Sequence, residues 1–155
     1  MIVIRRACFP ADRAAVVAIW RAYLASTATD LSFQNNEREF ADLPGRYVAP
    51  HGTILLADDG GTIVGCIAMR RVDDRICEMK RLYVGPTARG RALGKRLVER
   101  LIAEATAAGH AEMRLDVLAE FAAARRLYAS LGFGDAPPVA VNPVAGTAFL
   151  GRVLR

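Results

Sequence analysis

The distribution of apolar residues along the chain predicts four helices. Their helical spacing places these helices over residues 11–25, 36–43, 92–108 and 120–131. In the third helix Leu93, Leu97 and Leu101 recur every four residues, which predicts one buried face. Gly109 follows as the glycine expected just beyond a helix end, and Gly132 has the same position after the fourth helix.

Runs of alternating or β-branched residues predict the strands. They lie over residues 1–6, 53–57, 62–69, 76–84, 112–118 and 147–153, with a further β region starting at Phe133. The sequence Asp58-Asp59-Gly60-Gly61 is typical of a hairpin turn, because these residues tolerate positive φ. Residues 53–84 are therefore predicted to form an antiparallel meander. No repeat or linker interrupts the chain, so we expect one domain over residues 1–155.

Composition favours a globular protein without a membrane span. Hydrophobic residues make up 53% of the chain and charged residues 24%, a balance typical of folded domains. No apolar run approaches the roughly 18 residues that a membrane span needs. Residues 1–6 lack the long apolar stretch of a secretory signal. We therefore expect a soluble cytoplasmic protein that does not bind membranes.

The cysteines and histidines give no sign of a disulfide framework or a metal site. Cys8, Cys66 and Cys77 have unrelated spacings, which favours free thiols in a reducing compartment. Cys66 and Cys77 fall in predicted strands and are interpreted as small core residues. His51 and His110 do not lie near a cysteine pair, so we expect no structural zinc and no other metal.

Positive charge is concentrated before and within the third predicted helix. The net charge is +5, and the segment 87–100 holds five cations against the single acid Glu99. These cations are Arg89, Arg91, Lys95, Arg96 and Arg100. One compact basic cluster at a helix start indicates a phosphate site rather than a stripe along a nucleic-acid backbone. We expect no nucleic-acid partner.

The loop before this helix has the chemistry of a phosphate-binding loop. A strand ending near Val84 leads into a segment with Gly85, Gly90 and Gly94, and a helix begins within that segment. The first N–H groups of a helix lack intrahelical partners, and the helix dipole adds partial positive charge there. The nucleotide-triphosphatase loop sequence is absent, and a dinucleotide fingerprint would need a parallel β-α-β unit instead of a meander. A plain basic surface loop is the alternative.

Two motifs resemble the GNAT acetyltransferase superfamily. The first is Arg89-Gly90-Arg91-Ala92-Leu93-Gly94, which is similar to the Arg/Gln-x-x-Gly-x-Gly/Ala pyrophosphate loop of that superfamily. The second is Leu127-Tyr128-Ala129-Ser130-Leu131-Gly132-Phe133, similar to its Leu-Tyr-x-x-x-Gly-Phe helix end. The resemblance implies an α+β domain whose central, twisted, mostly antiparallel sheet has helices on both faces. Splayed strands would form an acetyl-coenzyme A (acetyl-CoA) cleft.

The resemblance also implies which residues would bind acetyl-CoA. The strand segment Leu82, Tyr83 and Val84 would present backbone groups to the pantetheine arm and the acetyl carbonyl. The pyrophosphate would be held by the N–H groups of Arg89, Gly90, Arg91, Ala92, Leu93, Gly94 and Lys95. Two residues depart from the family pattern. Ala92 stands where the loop usually has glycine, and Phe121 falls near the usual place of an asparagine that contacts the cofactor.

Two residues are implied as catalytic. Tyr128 occupies the position that lies beside the thioester sulfur in many members, and it would protonate the departing thiolate. Glu78 lies on the strand where a general base is often found, and it would take a proton from the amine. The alternatives are that Tyr128 is a core residue with a satisfied hydroxyl and that Glu78 pairs with Lys80. Phe33 and Gln34 are weaker predictions for the acceptor pocket.

The expected activity is transfer of an acetyl group to a primary amine of a small molecule or peptide. Attack would be direct, in a ternary complex, and would need no metal. The resemblance leaves the amine unidentified, and the chain is expected to be a monomer or a homodimer. Two other classes stay open. One is an acyl-CoA sensor without turnover, and the other is a nucleic-acid-binding module suggested only by net charge.

Overall fold

One mixed sheet forms the centre of the molecule in the computed structural model, which describes residues 1–155. Seven strands are arranged in the order β1-β2-β3-β4-β5-β7-β6. The strands are β1 Ile2–Arg6, β2 Thr53–Asp59, β3 Thr62–Arg71, β4 Ile76–Val84, β5 Glu112–Val117, β6 Gly134–Asp135 and β7 Ala148–Val153. All neighbouring strands are antiparallel except β4 and β5, so the predicted α+β class is confirmed.

Four α-helices cover the two faces of this sheet. They are α1 Arg13–Ala25, α2 Asn36–Asp42, α3 Leu93–Ala107 and α4 Ala122–Ser130. Two 3₁₀ turns, Ser32–Gln34 and Pro86–Ala88, had no signal in the hydrophobic pattern. They precede α2 and α3, and Phe33 and Gln34 of the first turn line the cavities described below.

The interior consists of two hydrophobic clusters on opposite faces of the sheet. The larger has 20 buried residues and places Leu97 and Leu101 of α3 against Leu55 and Met113 of the sheet. The smaller has 10 buried residues and is built around Trp20 of α1. Because inward side chains alternate along each strand, one sheet supplies both clusters. The expected helices on both faces are confirmed.

Strands β4 and β5 pair over a short distance and then separate. Their parallel register runs from Ile76 opposite Glu112 to Glu78 opposite Arg114, and no pairing follows. A register shift between Cys66 and Ala68 of β3 marks an irregularity opposite residues 80–83 of β4. Arg81 lies within this irregular stretch and has φ of 59°. This value falls in the left-handed region, which residues other than glycine rarely adopt. The strands therefore open into a V-shaped gap, as the family resemblance implied.

The meander and the long helix were predicted well, and the turn before β3 was predicted too long. Asp58 and Asp59 belong to β2, so the hairpin loop is Gly60-Gly61 alone. Both glycines have positive φ, as a two-residue hairpin loop requires. Asp58 stays in the ladder because its carboxylate accepts hydrogen bonds from Arg5 of β1 and from the Gly61 N–H.

Candidate functional site

The gap between β4 and β5 is a cavity of about 560 Å³. Its walls are β4, β5 and the start of α4, and its lining is mainly hydrophobic. Seven of the residues predicted from the sequence line it: Gln34, Leu82, Tyr83, Val84, Arg89, Gly94 and Tyr128. We call this space the cleft. Its volume is in the range of cavities that bind small molecules and cofactors.

The loop at one end of the cleft presents a row of free N–H groups. Between Arg89 and Lys95 no N–H donates a hydrogen bond to the protein backbone, and the start of α3 has no side-chain cap. Gly90 has φ of 82°, and a Cβ at this position would meet nothing within 4 Å. Such free donors at a helix N-terminus, with room in front of them, fit a phosphate group.

Ala92 adopts a backbone conformation that favours glycine. Its φ is 54° and its ψ is 26°, in the left-handed region, directly before α3. An alanine there is strained by about 1–2 kcal/mol. Its N–H is nevertheless among the free donors of the loop. The departure from the family pattern therefore adds strain without removing a donor.

Replacing Ala92 with glycine is expected to stabilise the fold. The strain relieved is partly offset by the greater freedom of glycine in the unfolded chain, about 0.5–1 kcal/mol. We expect a net gain of about 0.5–1 kcal/mol in the free energy of unfolding, measured by denaturant titration. A lower free energy of unfolding in Ala92→Gly would show that the left-handed conformation is not strained.

The basic cluster predicted at this loop is smaller than the sequence suggested. Arg96 and Arg100 donate to the backbone carbonyls of Ile2 and Ile4 in β1, so they hold α3 against the sheet edge. Arg89 remains at the cleft, where its Nε donates to the Val84 carbonyl at 3.1 Å. Arg91 and Lys95 are exposed beside the loop. The side chain of Leu93 is buried in the larger cluster, which leaves only its N–H for a ligand.

Tyr128 lies on the inner face of α4 and is buried at the wall of the cleft. Its ring packs on Phe133 at 5.7 Å between centroids. Burial raises the pKa of its phenol, with smaller contributions from nearby Tyr23 and Asp116. The hydroxyl therefore stays protonated at neutral pH. Tyr128 belongs to the larger hydrophobic cluster and also lines the cleft, and its catalytic role stays a prediction.

A second cavity, of about 470 Å³, adjoins the cleft on the side of α2. Its lining is mostly polar and includes Phe33, Gln34 and Glu78, all predicted from the sequence. We call it the polar cavity. Glu78 thus lies in the polar cavity and Tyr128 in the cleft.

Glu78 pairs across the sheet with arginine, not along its own strand with Lys80. It faces Arg70 in the β3–β4 register, and its Oε1 accepts from Arg70 Nε at 3.0 Å. Arg70 also contacts Glu39 of α2, which in turn pairs with Arg81. The alternative Glu78–Lys80 pair is therefore wrong. The pattern of a single strand gave no sign of the arginine on the neighbouring strand.

Arg81 joins this charged network to the smaller hydrophobic cluster. Its guanidinium lies 4.3 Å from the ring centroid of Trp20, a cation–π contact, and is almost fully buried. It also donates to Asn36 Oδ1 at 2.8 Å. A buried arginine needs such partners, because an unpaired charge in the interior is very costly. Arg81, which lines the cleft, therefore fixes α2 to β4.

Three residues line both cavities and mark where these meet. They are Gln34, Lys80 and Asp116. Sequence reasoning missed Asp116 as a site residue. The signal was the alternation of β5, where Met113, Leu115 and Val117 face the core and Asp116 faces the opposite side.

Asp116 lies on β5 beyond the point where β4 separates from it. Burial raises the pKa of its carboxyl, and the negative charge of Glu78 raises it further. A hydrogen bond from Asn142 Nδ2, at 3.2 Å, and the positive charge of Lys80 act in the opposite direction. A half-buried carboxyl with a raised pKa at the meeting point of two cavities is suited to accepting a proton.

The prediction for the two strand cysteines is confirmed. Cys66 and Cys77 are fully buried, as predicted, and burial raises the pKa of each thiol to about 12. No group of three or more histidine, cysteine, aspartate or glutamate side chains is arranged to hold a metal. None of the helices has the length and hydrophobicity needed to cross a membrane.

Comparison with known proteins identifies the family of this chain. The sequence profile of the Acetyltransferase (GNAT) family matches residues 15–133. The chain belongs to the GNAT family. It is 40% identical over 130 residues to an uncharacterized N-acetyltransferase of Schizosaccharomyces pombe, covering 83% of this chain and 80% of that protein. This GNAT chain is thus an N-acetyltransferase.

Two solved structures extend the comparison. A GNAT acetyltransferase from Staphylococcus aureus superimposes with a TM-score of 0.83 at 18% identity, over 100% of both chains, and shows the fold. The acetyltransferase YncA of Salmonella typhimurium, solved with its cofactor acetyl-CoA, has a TM-score of 0.75 at 27% identity. That match covers 99% of this chain and 94% of YncA. The fold of this GNAT enzyme is therefore one that binds acetyl-CoA.

Proposed function

We propose that this enzyme transfers the acetyl group of acetyl-CoA to a primary amine of a small molecule or peptide, by direct attack while both are bound. The observation that carries the proposal is the contact of the cleft with the polar cavity at Gln34, Lys80 and Asp116. Two adjoining cavities allow two reactants to bind at once. Holding them together replaces a bimolecular step by one within a complex.

The cleft and its loop suit acetyl-CoA. The free N–H groups from Arg89 to Lys95 would bind the pyrophosphate, with Arg91 and Lys95 exposed beside it. The unpaired edge of β4 at Leu82, Tyr83 and Val84 would face the pantetheine arm. Bound there, acetyl-CoA supplies an acetyl group activated as a thioester.

Acetyl-CoA is expected to raise the melting temperature of the wild-type enzyme, and Gly90→Val is expected to weaken this effect. At a concentration about 100 times its Kd, the ligand should add about 2.7 kcal/mol to the free energy of unfolding. Valine at Gly90 cannot keep φ of 82° without strain, so the loop N–H groups would turn away from the phosphate. Thermal-shift titrations of both proteins measure the difference.

The matched control for this experiment is Gly60→Val in the β2–β3 hairpin. Gly60 also has positive φ and open space around it, but it lies outside both cavities. The control should lose stability and keep the full acetyl-CoA shift. If acetyl-CoA raised the melting temperature of Gly90→Val as much as that of the wild type, the phosphates would have to bind outside this loop.

The amine must lose a proton before it can attack, since its pKa near 10 keeps it protonated at neutral pH. Asp116 and Glu78 are the two candidate proton acceptors. Glu78 is held by Arg70 within the polar cavity, whereas Asp116 lines both cavities. Asp116 is therefore the acceptor we favour. Glu78 would act on Asp116 through its charge, which raises the pKa of Asp116.

Tyr128 would hold a proton at its hydroxyl for the leaving sulfur. Its ring is fixed by Phe133 and the larger core cluster, and its raised pKa keeps the phenol protonated. Burial also makes the phenol a weaker acid, so its contribution should be smaller than that of the base. The edge of β4 that faces the gap has no strand partner beyond Glu78, so an N–H group on this edge near Val84 would stabilise negative charge on the acetyl oxygen.

Turnover with a panel of primary amines, measured as release of free thiol, tests the proposal as a whole. Thiol release with at least one amine, saturable in both reactants, is the expected result. Binding of acetyl-CoA without release for any amine would instead favour a non-catalytic acyl-CoA sensor. Parallel lines in double-reciprocal plots of the initial rate are the pattern of a ping-pong mechanism, and they would contradict direct attack.

A further inference from the structure

Two of the four carboxylates that line the polar cavity, Glu78 and Glu39, are matched by arginines. Glu78 pairs with Arg70, and Glu39 pairs with both Arg70 and Arg81. Glu39 also accepts a hydrogen bond from the hydroxyl of Tyr47 at 3.0 Å. Since these carboxylates are already satisfied, a ligand gains little by presenting a cation to them. The unmatched groups of the cavity therefore decide what it binds.

Lys80 is an unmatched cation at the meeting point of the two cavities. It lies on β4, is half-buried, and forms neither a hydrogen bond nor an ion pair with the protein. Burial lowers the pKa of its ammonium group, and the nearby Arg70 acts in the same direction. A half-buried ammonium without a partner is costly, and a carboxylate from a ligand would relieve that cost.

Gln34 adds an unmatched hydrogen-bond acceptor beside Lys80. Its Oε1 atom is buried and has no hydrogen-bond partner in the protein. Buried polar atoms are almost always paired, and Gln34 lines both cavities, so its unpaired oxygen indicates a donor on a ligand. An amine N–H is such a donor, and Asp116 at the same junction can take its proton.

We infer that the acceptor is a small amino acid-like molecule, whose carboxylate binds Lys80 while its amine lies between Gln34 Oε1 and Asp116. This inference rests on the proposed function and narrows its acceptor. The three polar groups match the three features of a zwitterionic amine: an anion, an N–H donor and a proton to be removed. A cavity of about 470 Å³ suits a molecule of this size. A peptide N-terminus has an amide where a free amino acid has its carboxylate, and Lys80 gains no charge partner from it.

The experiment compares matched acceptors. Several amino acids are each tested beside their primary amide and their decarboxylated amine, with thiol release from acetyl-CoA as the readout. We expect kcat/KM for the preferred amino acid to exceed that for its amide and its amine by about 10- to 100-fold, the usual worth of a charged hydrogen bond. Equal or better use of the amides or decarboxylated amines overturns the inference and leaves acetyl transfer standing. No turnover with any amine overturns both.

Variants of Lys80 show whether this residue carries the preference. Lys80→Met should bring the ratio of kcat/KM for acid and amide close to one, mainly through a higher KM for the acid. Lys80→Arg should keep most of the preference, because arginine also pairs with carboxylates. Arginine cannot act as a base, so turnover in this variant also excludes Lys80 as the proton acceptor. A preference unchanged in Lys80→Met, or lost in Lys80→Arg, counts against the assignment.

The control variant is Arg75→Met, which removes a positive charge from the exposed turn between β3 and β4, outside both cavities. It should keep the acid-to-amide ratio of the wild type. If this variant also lost the preference, the effect would be one of overall charge, and the proposed role of Lys80 would be wrong.

Discussion

Replacing Asp116 with asparagine is expected to lower kcat by about 10²- to 10⁴-fold, the usual effect of removing a general base. Asparagine has nearly the same shape, and its carbonyl can still accept from Asn142. Because the pKa of Asp116 is raised in the folded state, ionisation of this carboxyl opposes folding at neutral pH. Asp116→Asn should therefore fold at least as well as the wild type. Steady-state rates at saturating acetyl-CoA measure the effect.

The pH dependence of the rate separates Asp116 from Glu78. Activity that needs the Asp116 carboxylate is present above its pKa and lost below it, so the raised pKa places the acid limb above the ordinary value of about 3.9. Glu78→Gln removes a charge that raises this pKa, so the limb should move to lower pH while most of kcat remains. A kcat that falls 100-fold or more in Glu78→Gln and little in Asp116→Asn would make Glu78 the base. Asp135→Asn, an exposed carboxylate on β6, is the control.

Replacing Tyr128 with phenylalanine is expected to lower kcat by about 10-fold or more while acetyl-CoA still binds. The ring and its packing on Phe133 survive the change, so only the proton held at the hydroxyl is lost. The free energy of unfolding should fall by no more than about 1.5 kcal/mol, the usual worth of one hydrogen bond. Measurements of kcat, the Kd of acetyl-CoA and Tm on one preparation test all three expectations.

A purely structural role for Tyr128 makes the opposite prediction, namely wild-type turnover with slightly lower stability. Such a result would assign Tyr128 to the core alone. The high-pH side of the pH–rate profile adds a second test. Because burial raises the pKa of the phenol, Tyr128 should remain protonated through neutral pH, and no loss of activity from its ionisation is expected there.

Local patterns were enough to predict the framework of the site. The four-residue spacing of Leu93, Leu97 and Leu101 predicted α3 to within one residue at each end. The glycine loop and the Gly132-Phe133 helix end carried the family resemblance, which the family comparison confirms. These features depend on residues close together in the chain, and local sequence specifies them well.

The polar cavity depends on contacts between residues that are far apart in the chain. These contacts could not be predicted from the sequence. The pairing of Glu78 with Arg70 follows from the β3–β4 register, which the irregular stretch at Arg81 displaces. The junction of Gln34, Lys80 and Asp116 brings together a 3₁₀ turn and two strands that separate there. The hydrophobic periodicity of a single segment does not predict contacts between separate segments. Phe33 and Gln34 were predicted as candidates for the acceptor pocket, and their roles stay predictions.

The division of the interior into two clusters has a consequence for how this enzyme can change over evolution. Phe40 of α2, the helix that borders the polar cavity, packs in the cluster around Trp20. The long helix α3 belongs to the other cluster, together with the cleft residues Met79, Leu115, Val117 and Tyr128. No buried residue belongs to both. Selection for a new amine could therefore remodel one layer of the protein while the acetyl-CoA layer keeps its packing. A shared cofactor and divergent acceptors are then compatible within one small domain.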